Sequence, residues 1–527
     1  MRPGAWIERA RDRLRERLWR ALPEERFVGV LIALAIGDQR AIRPEDWQVF
    51  NRTGVSHLMS ISGLHVTMLA ALAAALVGGW WRRSPARLLA WPARKAALVG
   101  GLFVAMLYCL LAGFGVPAQR TLYMLAVGAI ALLIDRGQSP SRVLAAALAV
   151  VLVLDPWAVL AAGFWLSFGA VAILFYAGRR ATEAGWFVAW LDAQWAITLA
   201  LVPLTLAIFS QVSLVSPLAN LVAIPVVSFV VTPLAILAAI VPIDALAWIA
   251  HVAVAVLMPL LEWASALPAA VWQQHAPVAW TVPLALVGAA VMLAPRGTPA
   301  RYAALPLFLP MVLVAPAPLA MGTVRVDVLD VGQGLAVLVR TRDHALLYDT
   351  GPTYGAEADA GARVVVPFLR GEGVQRLDRL IVTHLDSDHS GGARSIMQTI
   401  VPALTQSSAA LDAPMFARAA LRVPCTAGET WTWDGVRFDV LYPFAEDYAA
   451  AARRTNNLSC VLRIEAGGHS ILLTSDIEAR DEARLVESAA ARLRSDVVLV
   501  PHHGSRTSST AAWLDVVEAR LAIVAAG

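Results

Sequence analysis

The chain has 527 residues, 58% of them apolar and only 16% charged, and its mean hydropathy of +0.62 exceeds that of soluble globular proteins, so a membrane protein is expected and a disordered chain is excluded. Three cysteines, Cys109, Cys425 and Cys460, are spaced too widely for a disulfide framework or a cysteine zinc module. The net charge of +4 hides an asymmetry: basic residues outnumber acidic ones before residue 320, and acidic ones prevail after it.

Met1 to Arg26 is an Arg-rich, Trp-containing amphipathic stretch with no apolar core or cleavage site, so it reads as a helix lying on a membrane surface or packing on the next element. Apolar runs long enough to cross a bilayer, or nearly so, follow at roughly 58–81, 96–114, 116–134, 143–156, 157–177, 190–210, 218–241, 246–267, 278–294 and 302–320. About ten spans are expected, the run at 143–156 being short enough for a half-helix.

Eleven of the twelve basic residues in the short loops fall on one side of this arrangement: Arg82, Arg83, Arg87, Arg94, Lys95, Arg136, Arg142, Arg179, Arg180, Arg296 and Arg301, against Arg120 alone opposite. By the positive-inside rule that side is cytoplasmic, which puts both the N-terminal segment and everything after residue 321 outside the cytoplasm. Pro117, Pro203, Pro217, Pro225 and Pro233 interrupt spans, and Asn220 lies between two of these prolines. Broken helices at membrane depth are tolerated where the freed backbone is buried in protein or lines a water path. Asn220 and Arg120 are therefore channel candidates, set against a kinked structural helix and a simple turn residue.

From Val324 the pattern alternates as in a soluble α/β domain. VRVDVLDV reads as a strand, Gly332-Gln333-Gly334 as a turn, and Leu335 to Arg340 and Ala345 to Asp349 as further strands, the last ending in Asp349-Thr350-Gly351. The strand Arg379 to Thr383 runs into His384-Leu385-Asp386-Ser387-Asp388-His389, followed by Ser390-Gly391-Gly392. Four potential ligands within six residues, with glycines behind them, form a loop that can surround two cations. Two later strands also stop at ligand-type residues, one at Asp476 and one at Pro501-His502-His503-Gly504-Ser505. That recurrence is how a two-sheet sandwich builds a metal site along one edge.

His384-x-Asp386-x-Asp388-His389 resembles the metallo-β-lactamase superfamily motif H-x-H-x-D-H, with Asp349 and Asp476 in its first and fourth positions and His502 or His503 in the last. LIALAIGDQ and FNRTGVSHLMSISGLHV in the first half resemble the ComEC-type channel that imports DNA in natural transformation; ISGLH, DVGQG, DTGP and HHGS in this order cover almost the whole chain. The resemblance implies a polytopic α-helical membrane domain plus an αββα sandwich: 1–56 an amphipathic N-terminal segment, 57–320 the channel, 321–527 the hydrolase. It also implies an OB-like domain before residue 1 and a late His-containing segment, so the chain reads as a fragment or as a member shortened at both ends.

Two departures bear on the metal. The second motif histidine is Asp386, and about twenty residues before Asp476, where many superfamily members have a histidine, stands Asn456-Asn457-Leu458-Ser459. His469 reads as a hairpin residue. Oxygen donors favour Mn²⁺ over Zn²⁺, with Mg²⁺ also suited. The resemblance implies two divalent cations held by His384, Asp386, Asp388, His389, Asp476 and His503. Asp388 and His389 are then catalytic, with Asp349, Asn457, Ser459, His502 and Ser505 supporting the ligands or meeting substrate. The implied function is DNA uptake across the bacterial inner membrane, one strand translocated while an outer nuclease degrades the other. Its implied partners are DNA, the DNA-delivering competence machinery and a cytoplasmic translocation motor. A membrane-anchored hydrolase of a small periplasmic or lipid-linked ester, and a transporter with an inactive hydrolase, are the competing expectations.

Overall fold

The computed structural model describes residues 5–134, 139–178, 185–295, 297–355, 358–409, 412–449 and 455–526. Arg136, Arg179, Arg180 and Arg296, on which part of the orientation argument rests, lie outside the described residues. The chain divides into two compact units, Met1–Gln273 with Val278–Leu313, and Gln274–Pro277 with Val314–Gly527.

The first unit is helical. Its N-terminal helix Ala5–Ala21 packs on the helix Val28–Ile36, as one of the two expectations for it required. Val28–Ile36 is only nine residues long, yet every one of them is buried, because it is apolar on all sides and surrounded by neighbours. The left-handed Gly37 ends it, its N–H bonding the Ala33 carbonyl. Six helical segments are long and apolar enough to cross a membrane: Gly63–Arg82, Ala93–Leu111, Val116–Leu133, Phe187–Phe209, Ser216–Ile240 and Asp244–Ala266. Four shorter apolar helices, Pro140–Leu154, Ala162–Ala177, Thr281–Met292 and Arg301–Leu313, fall on the remaining expected runs. By length alone the structure therefore supports a multi-span membrane unit with six spans and leaves ten unsupported. One of the six is interrupted: after Pro225 the residues Val226–Val231 widen into a π-helix before Thr232–Ile240 resumes α-geometry. The strand β1 (Gln211–Ser213) pairs antiparallel with β2 (Val271–Gln273).

The second unit is a four-layer sandwich. Strands β3 (Arg325–Val328), β4 (Val337–Arg340) and β5 (Ala345–Tyr348) form an antiparallel meander. After a small ribbon of β6 (Thr353–Gly355) and β7 (Ala358–Asp359), strands β8 (Arg379–Val382), β9 (Leu404–Ser407) and β10 (Arg422–Pro424) continue the sheet in parallel, in the order β10-β9-β8-β5-β4-β3. The second sheet follows chain order: β11 (Thr430–Trp433), β12 (Val436–Tyr442), β13 (Val461–Ala466) and β14 (His469–Leu473) antiparallel, then β15 (Val497–Leu499) and β16 (Leu521–Ile523) parallel. The alternation read over Val324 to Val331 belongs to the partly exposed edge strand β3, whereas the inner strands β5 and β8 are buried on both faces. Between the sheets pack Val337, Val339, Leu346, Tyr348, Phe438, Val440, Leu462 and Leu473, while separate apolar layers lie under the helices Ala393–Thr399 and Ala479–Leu493 on the outer faces.

One feature differs from the sequence reading. Cys425 and Cys460, 35 residues apart, are joined by a disulfide with a Cα–Cα distance of 6.0 Å, leaving Cys109 free and buried. A single bridge is no framework, but spacing gave no sign of the pairing, because the fold brings the end of β10 beside the start of β13. His469 opens β14 opposite Ala466 with its side chain exposed, a hairpin position as expected.

Candidate metal centre

In both sheets the strands stop along one edge, and the chain turns there through backbone conformations that side chains rarely adopt. Asp349, Ser475, His502 and His503 all have positive φ, between 49° and 59°. Such strain is held by the surrounding structure and clusters at functional sites. The Gly332–Gly334 turn serves the same edge: Gly334 has φ +141°, and a Cβ there would lie 2.4 Å from the carbonyl oxygen of Asp388, so only glycine permits the approach.

At this edge Asp388, His389, Asp476 and His503 each bring one ligand atom within 4.8 Å of the others. His389 Nε2 is 3.1 Å from Asp476 Oδ1 and 3.2 Å from His503 Nε2. His503 Nε2 is 3.4 Å from Asp388 Oδ2 and 3.5 Å from Asp476 Oδ1. Both imidazoles are fixed from behind, His389 Nδ1 donating to Asp349 Oδ2 at 2.7 Å and His503 Nδ1 to the Ala525 carbonyl at 2.6 Å. With Nδ1 carrying the proton, Nε2 turns its lone pair to the cluster, the arrangement that orients histidine ligands.

Charges follow from this packing. Burial opposes a proton on His389, but Asp349 and Asp476 outweigh it and raise its pKa to about 10. His503 is raised in the same way, burial being overcome by Asp388 and Asp476. The His503 hydrogen bond is the main reason that Asp388 falls to about 2, and His389 holds Asp476 below the ordinary carboxylate range despite its burial. In the absence of a cation, protons on the imidazoles balance the two carboxylates.

His384 lies beside this group, its ring centroid 4.2 Å from that of His389. Its Nδ1 meets Thr383 Oγ1 at 3.0 Å and Ser459 Oγ at 3.4 Å, while its buried Nε2 has no hydrogen-bond partner and lies 3.8 Å from Asp386 Oδ2. Burial and the neighbouring His389 lower its pKa, keeping it neutral. An orphaned buried imidazole nitrogen is costly unless something accepts its lone pair, so the residues present fit a bound divalent cation. Asp386 is 44% exposed and accepts a hydrogen bond from Thr455 Oγ1 at 2.8 Å. Asn457 Oδ1 is likewise buried and unpartnered.

Asp349 is wholly buried and also accepts from Thr383 N and Thr383 Oγ1, so it orients the cluster without facing it. Ser459 Oγ accepts from Asp476 N. His502 Nδ1 meets Thr507 Oγ1 at 3.0 Å, and its Nε2 lies 3.9 Å from Asp476 Oδ2. Ser505 bonds Thr507 and makes no described contact with the cluster. Arg120 and Asn220 belong to the first unit. Arg120 is 6% exposed in a cavity with Gln119, Tyr123 and Asp155, its Nε and Nη1 without hydrogen-bond partners. Asn220 donates to Ser216 Oγ and the Gly54 carbonyl, the neighbour-bonding role weighed against a path-facing one. Thr383, Ser475 and Ala525 escaped the sequence reading. Thr383 and Ser475 each directly precede a candidate ligand and bond each other at 2.7 Å, a signal present in the text, whereas a backbone carbonyl leaves none.

Residues 34–299 match the family model described as Competence protein, and residues 329–447 match the Metallo-beta-lactamase superfamily. Competence protein ComA of Neisseria gonorrhoeae is 38% identical over 504 residues, 95% of this chain and 69% of the relative. Recombination protein 2 of Haemophilus influenzae is 29% identical over 95% of this chain and 67% of its own length. The chain thus spans about two thirds of the curated relatives it matches. Among solved structures, the metallo-beta-lactamase fold protein YhfI from Bacillus subtilis aligns at 15% identity over 33% of this chain and 69% of that one, with a TM-score of 0.22. The motifs, the helical membrane unit and the sandwich meet in one assignment: the chain belongs to the competence protein family and carries a metallo-β-lactamase superfamily domain, a fold associated with divalent metal ions, in its C-terminal part.

Proposed function

We propose that the second unit is a metal-dependent phosphodiesterase that degrades one strand of incoming DNA while the first unit passes the other across the cytoplasmic membrane. The observation that carries the nuclease reading is the convergence of Asp388, His389, Asp476 and His503, with both imidazoles held through Nδ1. Competence family membership places the chain in DNA uptake during transformation. Asp388, His389, Asp476 and His503 would hold one cation, and His384 with Asp386 and Asn457 a second. When bound, such ions polarise a phosphodiester and acidify water. Asp349 keeps Nδ1 of His389 protonated and its Nε2 free, and Ser459 supports both His384 and the Asp476 backbone. His502 stands at the margin of the cluster, where its Nε2 can donate to a substrate oxygen.

Two carboxylates and two imidazoles form a harder donor set than three imidazoles, which favours Mn²⁺ over Zn²⁺. The Cys425–Cys460 disulfide supports a location outside the cytoplasm, where disulfides persist, in agreement with the basic loops on the other side. DNA-delivering machinery outside and a translocation motor inside are the partners this reading requires. The test is DNA cleavage by the detergent-solubilised full chain, wild type against His389→Ala, together with transformation by cells carrying each. Cleavage should depend on added cation and be lost in the variant; activity that survives exhaustive chelation overturns the reading.

A further inference from the structure

Beside the loop that carries the candidate ligands, an open cavity of about 550 Å³ is lined by Thr353, Leu385, Ser387, Arg394, Pro414 and Met415, among others. Its volume lies within the range of small-molecule sites. Leu385 and Ser387 alternate along the chain with His384, Asp386 and Asp388, so the cavity and the candidate ligands share one wall. That wall is fixed: Ser390 Oγ donates to the carbonyls of Leu385 and Asp386, at 3.0 and 3.1 Å. Part of the lining is apolar, from Leu385, Pro414 and Met415. The lining also includes Arg394, exposed on the helix Ala393–Thr399, and among the described residues no hydrogen bond or ion pair engages it.

We propose that this cavity is the subsite for the nucleotide next to the scissile bond, its base or sugar lying on Leu385, Pro414 and Met415 and its phosphate held by the Arg394 guanidinium. The proposal rests on the reading that the second unit acts on DNA. A small neutral ester would leave the arginine without a partner, whereas a polymer with a phosphate at every residue presents a second anion beside the one being cleaved. Arginine suits the task because its planar fork matches two phosphate oxygens at once. Arg394 is a positioning residue, acting on binding and register while the chemistry is carried by the neighbouring cluster.

The test is fluorescence anisotropy of a labelled oligothymidylate with the full chain in phosphatidylcholine nanodiscs, with chelator present so that nothing is cleaved. Arg394→Gln should weaken binding about fivefold at low salt and flatten the dependence of log K on log salt by about 0.7, the share of one phosphate contact to a single strand. Arg394→Lys should keep the slope and recover part of the affinity. Unchanged affinity and slope in Arg394→Gln, equal loss of slope in both variants, or no binding by wild type overturns the subsite. Hydrolysis of bis(4-nitrophenyl) phosphate by the cation-loaded wild type separates the two readings. Arg394-dependent binding without hydrolysis sinks the hydrolase and keeps the subsite; hydrolysis with Arg394-independent binding does the reverse.

Discussion

The carboxylate of Asp349, at the end of one strand, accepts a hydrogen bond from Nδ1–H of His389, 40 residues later, at 2.7 Å, and neither group is exposed. Asp349→Asn should therefore keep the fold and lower cation affinity by about 10- to 100-fold, because an amide no longer enforces the tautomer that turns Nε2 to the ion. Competition against a chromophoric chelator measures this. Asp349→Ala should in addition cost about 1–3 kcal/mol of stability, since the Thr383 N–H and hydroxyl lose their buried acceptor. Equal metal affinity in wild type and Asp349→Asn would show that the pair is structural only.

Loading should release protons. His389, with a pKa near 10 in the metal-free protein, and His503, also raised, hold protons that a cation must displace, whereas Asp388 at about 2 is already ionised. Affinity should accordingly rise with pH across the neutral range, and calorimetry in buffers of different ionisation enthalpy should show proton release. The sign for the metal-free fold is opposite. A histidine whose pKa is raised on folding adds stability that is complete below about 6.5 and disappears as pH passes about 10. The metal-free protein should thus lose stability on the alkaline side while the loaded one does not.

Mn²⁺ should support faster DNA cleavage than Zn²⁺ at matched occupancy, because Asp388, Asp476 and the nearby Asp386 supply oxygen where a three-histidine site supplies nitrogen. Turnover of a labelled duplex with each ion checks this, and a Zn²⁺ optimum would contradict it.

Reducing the Cys425–Cys460 bridge, which closes a 35-residue separation, should lower the stability of the second unit by on the order of 2–4 kcal/mol. A Cys425→Ser, Cys460→Ser pair should show the same fall, read by thermal unfolding with and without reductant.

Orientation can be tested with two changes fewer than the cysteine count suggests. With Cys425 and Cys460 paired, replacing Cys109 leaves a background without free thiols, and Asp515→Cys adds one on an exposed face. A membrane-impermeant thiol reagent should label it on spheroplasts without lysis. Labelling only after lysis would put the hydrolase in the cytoplasm.

The parts of the fold most legible in the sequence were those set by short-range pattern. Alternation in Val324 to Val331 specified the edge strand β3, and the continuous apolar run Ala345 to Tyr348, stopping at Asp349, marked β5, which is buried on both faces, under the helix layer and in the sandwich core. Ligand-type residues following directly on strand ends marked the edge where His389 and Asp476 come within 3.1 Å. What stayed hidden was decided over long range. Pairing of Cys425 with Cys460 depends on two sheets docking, and the burial of Val28–Ile36 depends on neighbours that a nine-residue apolar run does not name. The left-handed turns at His502 and His503 use a conformation that histidine adopts more readily than most side chains but still rarely, and the side chains are fixed there by Thr507 and the Ala525 carbonyl, partners that the local sequence does not announce. Apolar runs were visible, but helix length is not composition: four of the ten form helices too short to span by length alone.

His389 is carried by the loop after β8 of the first sheet, and Asp476 and His503 follow strands of the second, so an ion between them would rivet the two sheets at their shared edge. Any loosening of the apolar layer that separates the sheets then moves ligands apart. Truncating Phe438, buried in that layer, would register as a weaker grip on the cation as well as a lower melting temperature. A variant screened only for nuclease activity would be misread as a chemical defect when its fault lies in the packing beneath.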